Sequence, residues 1–79
     1  MAEMNAEEIE RRLQENLGRK VKVRTVEGRS AILAVLNVDQ EGCVCRVIDD
    51  PDYVPGQEFW CSFDELAEVE PASELQAGP

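Results

Sequence analysis

The chain contains no histidine, and only one of its eight basic residues lies beyond residue 29. The absence of histidine removes the most common general base and a frequent metal ligand. No glycine-rich phosphate loop is present, and Ser30, Ser62 and Ser73 have no evident base partner. We therefore expect a protein that is not an enzyme, with no catalytic residues, no metal and no cofactor.

Long apolar runs are also missing. No stretch approaches the roughly 18 apolar residues that a membrane-spanning helix requires, so no membrane association is predicted. The first four residues include one acidic residue, Glu3, and no basic residue, and they lack the pattern of a signal peptide. The three cysteines are an odd number without a disulfide framework, which is typical of reduced thiols in a cytoplasmic protein.

The length of 79 residues is sufficient for one domain with a modest core. A chain of this size buries only about 60% of its unfolded surface, so its stability is expected to be marginal. Assembly into a homo-oligomer is one way in which such a small domain gains stability. The sequence does not determine the oligomeric state.

Negative charge is concentrated in the second part of the chain. Residues 1–29 hold seven basic and six acidic residues, whereas residues 30–79 hold one arginine and eleven acidic residues. Such a surface repels phosphate and suits a partner protein with a basic surface better than it suits nucleic acid. Solubility alone is the alternative explanation.

Residues 5–17 are predicted to form a helix. Asn5 is a favourable N-cap, and Glu8 stands three residues later, as in a capping box. Ile9, Leu13 and Leu17 recur every four residues and predict one apolar stripe. Gly18 is suited to the left-handed conformation that ends a helix.

After Gly18 the apolar residues alternate with a period of two, which indicates β-strands. A turn with Gly28 follows the first strand, and the long second strand is apolar on both faces, as in a strongly bent strand of a small barrel. The predicted architecture is mainly β with an N-terminal helix: a small five-stranded antiparallel barrel, Sm-like or SH3-like, in one domain over residues 1–70 with a disordered tail over 71–79. The predicted strands are residues 20–24, 30–38, 43–48, 57–63 and 66–69.

Residues 5–69 resemble the Sm-like family, which includes Hfq, the LSm proteins and the bacterial Rof-type inhibitors of the Rho terminator. The resemblance lies in residues 21–29, in the apolar strand from Ala31 to Val38, and in Asp39-Gln40 after it. It implies an N-terminal helix, five bent strands and, for many members, an RNA-binding ring.

The chain departs from the RNA-binding members of that family. Cys43 stands near the position where they usually carry an asparagine, and residues 61–64, Cys-Ser-Phe-Asp, replace their basic residue followed by glycine. The ending from Phe63 to Leu66 resembles the acidic Rof type, which acts on proteins. The resemblance thus implies a protein-binding adaptor or inhibitor, with an Sm-type RNA-binding ring as the alternative.

The cysteines are expected in the core. Cys43 and Cys45 share one face of a strand. A hairpin centred on Tyr53 would place Cys45 opposite Cys61, Cys43 opposite Phe63 and Val47 opposite Phe59. Buried thiols that act as small apolar side chains are favoured over a metal site, which lacks a fourth ligand, or a regulatory thiol pair.

Two groups of residues are candidate binding sites. Trp60 alternates with inward residues and is predicted to face outward near an acidic loop, either as a protein-binding anchor or covered by the helix or loop. The protein-binding candidates are Asp49, Asp50, Asp52, Tyr53 and Trp60. The alternative anion or RNA site is Arg19, Lys20, Lys22 and Arg24, for which a solvated strand face balanced by nearby glutamates is the favoured explanation.

Overall fold

The structure, a computed structural model, describes residues 4–72. One helix precedes five strands, and a short 3₁₀ turn, Phe63–Glu65, separates the last two strands. The elements are α1 (Ala6–Glu15), β1 (Lys20–Thr25), β2 (Ser30–Val38), β3 (Gly42–Asp49), β4 (Glu58–Ser62) and β5 (Leu66–Pro71). The prediction of an N-terminal helix followed by five antiparallel strands is confirmed.

Helix α1 begins as predicted but ends earlier. The Asn5 side chain accepts a hydrogen bond from the Glu8 backbone N–H at 2.8 Å. At the other end, the buried Asn16 donates its side-chain amide to the Arg12 carbonyl at 2.8 Å. The chain leaves the helix there, so Leu17 is 52% exposed, and its predicted place in the apolar stripe is wrong.

The five strands form one sheet in the order β4-β3-β2-β1-β5. Register shifts between Ile32 and Leu33 and between Val35 and Asn37 interrupt the pairing of β2 with β3, and such bulges bend a strand and increase its twist. The sheet does not close in the described part of the chain, where β4 and β5 are its two edges. The structure therefore shows an open five-stranded antiparallel sheet, and the closed barrel stays a prediction.

The β3–β4 hairpin differs by two residues from the predicted register. Cys43 pairs with Cys61 and Cys45 pairs with Phe59, whereas the prediction paired Cys45 with Cys61. Val47 donates its N–H to the Gln57 carbonyl, so the hairpin is centred on Asp52 instead of Tyr53. A shift of two residues leaves the same side chains facing inward, so alternation alone could not have distinguished the two registers.

The core is one cluster to which α1 and all five strands contribute buried side chains. Ile9 and Leu13 of α1 are fully buried and pack with Val21, Val35 and Val69 from β1, β2 and β5. Burying a side chain of this kind stabilises the fold by about 1.5–3 kcal/mol, so the helix is held mainly by its apolar stripe. No helix in the described residues is long and apolar enough to cross a membrane.

The described structure continues past residue 70, where the predicted domain ends. β5 continues to Pro71, and the buried Ala72 donates its N–H to the Lys20 carbonyl at 3.0 Å. The remainder of the predicted tail, residues 73–79, lies outside the described residues.

Candidate functional site

A pocket opens where the two ends of the curved sheet approach each other, with β4 on one side and the 3₁₀ turn and start of β5 on the other. We call this the seam pocket. Its volume is about 260 Å³, slightly below the range of typical small-molecule sites and sufficient for a large side chain. Its apolar lining includes Val23, Leu33, Phe59 and Leu66, and Arg29, Asp50 and Glu65 contribute polar groups.

Trp60 contributes to the lining of the seam pocket, while alternation along β4 places its side chain on the opposite face of the strand from Phe59 and Cys61. Its indole N–H donates to the Asp39 carboxylate at 2.9 Å, and its ring lies against Gly42, where a Cβ atom would come within 2.6 Å of the ring. The side chain is nevertheless 50% exposed. The structure therefore presents a half-exposed tryptophan whose indole N–H is held by Asp39, and its role as a protein-binding anchor stays a prediction.

The Asp39 carboxylate joins the turn between β2 and β3 to Trp60 of β4, and we call this group of contacts the Asp39 corner. Asp39 Oδ1 accepts the backbone N–H groups of Glu41 and Gly42, both at 2.7 Å, while its Oδ2 accepts Trp60. The bond from Trp60 and then the two backbone bonds hold the pKa of Asp39 below its ordinary value, because all three stabilise the charged carboxylate. The role of Asp39 was missed at the sequence level, although an aspartate three residues before a glycine is a common turn signal.

Tyr53 makes two ring contacts. Its ring stacks on Phe59 with centroids 5.9 Å apart, and the Arg29 guanidinium lies 5.4 Å from its centroid. Arg29 also donates to Asp52 at 2.7 Å, and the Asp52 bond raises the pKa of Arg29 above its already high value. Asp52 is thereby partly neutralised, so this carboxylate contributes less negative charge to the surface than the sequence suggests.

The acidic candidates separate in space. Asp50 lines the seam pocket with Tyr53 and Trp60, whereas Asp49 lies in a different depression with Lys22. Asp49 is the last residue of β3 and pairs with Ile32 next to a register shift, whereas Asp50 follows the end of the strand, which accounts for the separation. The structure thus brings Asp50, Tyr53 and Trp60 to one place, with Asp52 beside them, and leaves Asp49 elsewhere.

The three cysteines are buried and free. The Sγ atoms of Cys43 and Cys45 lie 3.4 Å apart, and Cys61 donates to a Glu65 carboxylate oxygen at 3.5 Å. Contact with Cys45, followed by burial, raises the pKa of Cys43; burial first, then Cys43 and Glu65, raises the pKa of Cys61 to about 12. Neutral thiols are poor nucleophiles, so this arrangement favours a packing role. Within residues 4–72 no group of three or more Cys, Asp or Glu side chains is placed to hold a metal ion.

The basic residues of β1 face glutamates of β5. Arg24 forms an ion pair with Glu68 at 3.3 Å, and Lys22 stands opposite Glu70 in the sheet register. Arg19 precedes the strand and is exposed, and Lys20 is half-buried at its start. Carboxylates on the neighbouring strand reduce the positive potential that an RNA backbone would require.

Searches with this chain found no matching family model, curated protein or solved structure. The resemblance to the Sm-like family therefore stays a prediction from the sequence, and the site is described by its own geometry.

Proposed function

We propose that this chain is a small acidic binding module without catalytic activity, an adaptor or inhibitor that docks on a basic surface of a partner protein in the cytoplasm. The observation that carries the proposal is the seam pocket, which is lined by the aromatic residues Tyr53 and Trp60 together with the acidic residues Asp50 and Glu65. Aromatic side chains held in place before binding lose little entropy on association and are frequent anchors of protein interfaces.

An Sm-like barrel is the scaffold that we propose for this module. One N-terminal helix, five antiparallel strands and the bulges in β2 support it. The RNA-binding ring that some Sm-like proteins form is the less supported alternative, since Arg24 is paired with Glu68 and Lys22 faces Glu70.

A matched pair of charge reversals tests the proposed function. Asp50→Lys changes the seam pocket, whereas Asp49→Lys makes the same change in the separate depression that Asp49 shares with Lys22. The tagged wild-type chain is used to capture proteins from a nuclease-treated extract of its host, and the affinity of each purified candidate is then measured for the wild type and both variants. We expect Asp50→Lys to weaken binding about tenfold and Asp49→Lys to leave it nearly unchanged.

Trp60→Ala is the second test, with Leu17→Ala as the control for removing an exposed apolar side chain elsewhere. Loss of an aromatic anchor typically costs about 2 kcal/mol or more, about 30-fold in affinity. Equal affinity of the Trp60 and Leu17 variants would remove the support for this proposal. Binding of U-rich or A-rich RNA at low salt, abolished by Lys22→Glu, would support the RNA-binding alternative instead.

A further inference from the structure

The outer edge of β4 has no strand partner among the described residues. Gln57 accepts the Val47 N–H, and Phe63 donates to the Glu41 carbonyl just before β3. Alternation along the strand therefore directs the backbone groups of Glu58, Trp60 and Ser62 away from the sheet. An edge of this kind is a template on which an extended segment can form a further strand.

The opposite edge, β5, is already occupied. The Ala67 carbonyl accepts the Met4 N–H at 2.9 Å, and the Val69 carbonyl accepts the Arg12 guanidinium at 3.1 Å. Pro71 has no N–H to donate. A second copy of the chain could pair its β5 with β4 only by displacing its own helix from these carbonyls, and two chains of net charge −9 repel each other.

The seam pocket lies directly beside the β4 edge. Phe59 and Cys61 both line the pocket, while Glu58 is exposed on the other face of the strand. In a strand added to β4, side chains opposite Phe59 and Cys61 would face the pocket, and the alternate side chains would face outward. The pocket volume of about 260 Å³ suits a large aliphatic side chain at the inward position.

The charge near the edge indicates what the outward side chains should be. Asp39 is bonded to Trp60, and Glu41 accepts the Phe63 N–H through its carbonyl, so both acidic residues lie against β4 and the turn that follows it. The nearby Arg46 is held by Glu58 at 3.0 Å. The surplus charge is negative, and it favours lysine or arginine on the outward face of the added strand.

We propose that β4 accepts an extended basic segment of a partner protein as a sixth strand, with one aliphatic side chain of that segment in the seam pocket. This inference rests on the proposed protein-binding function and specifies how the partner is recognised: by backbone hydrogen bonds to Glu58, Trp60 and Ser62, by one apolar side chain, and by alternating positive charge.

The probe is a synthetic peptide, KVKIKVK, acetylated and amidated, titrated at physiological ionic strength with the emission of Trp60 as the signal. In a second peptide, the backbone nitrogens of the alternate residues whose N–H groups would pair with β4 are methylated. This peptide keeps its charge and side chains but cannot donate those hydrogen bonds. A version with alanine in place of valine and isoleucine keeps the charge but cannot fill the pocket. We expect both modified peptides to bind about tenfold or more weakly than the parent.

Two substitutions at Glu58 isolate the backbone contact within the protein. Glu58→Pro removes the outward N–H, which β3 does not use, and proline is tolerated on an edge strand. Glu58→Ala removes the same carboxylate and the same ion pair but keeps the N–H. We expect Glu58→Pro to bind the parent peptide about three- to tenfold more weakly than Glu58→Ala, with similar unfolding midpoints for the two variants.

Equal binding by the proline and alanine variants, or equal binding of the parent and alanine peptides, would overturn the proposed strand addition. Sedimentation that shows a dimer of the wild type but not of Glu58→Pro would overturn it in favour of a second copy. If a captured partner depends on Asp50 and Trp60 but binds both Glu58 variants equally, the protein-binding function stands and only strand addition fails.

Discussion

Gly42 is the position at which a single added methyl group should disturb the site most. It begins β3, pairs with Ser62 of β4, and lies beneath the Trp60 ring. A Cβ atom at this position would overlap the Cys61 carbonyl oxygen and approach Trp60 ring atoms to 2.6 and 2.8 Å. One of the obstructing atoms belongs to the backbone, so a change of side-chain rotamer cannot relieve the contact.

The cost of Gly42→Ala follows from two opposing effects. Overpacking a well-filled site costs about 1–3 kcal/mol, and the upper value applies because a hydrogen-bonded strand must shift. Alanine recovers about 0.5–1 kcal/mol relative to glycine in a strand. The free energy of unfolding should therefore fall by about 2 kcal/mol, which in a domain of this size lowers the Tm by about 8–16 °C.

Urea unfolding followed by tryptophan emission measures both the stability and the site, because Trp60 is the single tryptophan. Gly18→Ala is the control: Gly18 has a φ of +80°, and no atom lies within 4 Å of the position that a Cβ would occupy there. This variant should lose about 1 kcal/mol through backbone strain while leaving native Trp60 emission unchanged. A Gly42→Ala protein with wild-type stability and wild-type emission would refute the argument.

Three further predictions concern the helix, the Asp39 corner and the thiols. Leu13→Ala should lower the free energy of unfolding by about 2–5 kcal/mol, whereas Leu17→Ala should change it by less than about 0.5 kcal/mol, as measured by urea unfolding. The lowered pKa of Asp39 means that its contribution to stability is fully present above the ordinary value of 3.8 and is lost as the pH falls through the lower folded value. Native Trp60 emission should therefore change with a midpoint below pH 3.8. With a pKa of about 12, Cys61 should react with iodoacetamide at about pH 8 only when the chain unfolds.

Each of these predictions has a contradicting result. Equal losses for the Leu13 and Leu17 variants would mean that the helix is not held by its buried stripe. An emission change that persists in Asp39→Asn, which has no carboxyl group to titrate, would assign the transition to another group. Alkylation of Cys61 in native conditions at the rate of the urea-unfolded chain would contradict its burial.

Much of the fold could be predicted from local patterns. Asn5 caps the helix because its side chain satisfies a free N–H of the first turn, and Gly28 adopts a φ of +93° in the turn between β1 and β2. The alternation in the strands correctly indicated which residues face inward. These features depend on neighbours within a few positions, so the sequence contains the information directly.

The site could be predicted only in part. Trp60 was expected to face outward, but its bond to Asp39 joins residues 21 positions apart. Arg29 and Asp52 are separated by 23 positions, so their ion pair could not be predicted from the sequence around either residue. The partial neutralisation of Asp52 by Arg29 was therefore not predicted either. Asp49 and Asp50 are adjacent in sequence, yet they line different depressions, because Asp49 ends β3 beside a register shift and Asp50 begins the loop.

By itself, the sequence determined the helix cap, the strand alternation, the glycine turns and the acidic charge, because each depends on residue type and local spacing. The tertiary structure decided the register of the β3–β4 hairpin, since two registers that differ by two residues bury the same face. It also decided that the sheet formed by the described residues remains open at β4, that the N-terminal helix covers β5, and that Trp60 stands fixed beside a pocket. Those features depend on contacts between residues that are distant in sequence, so no short segment encodes them.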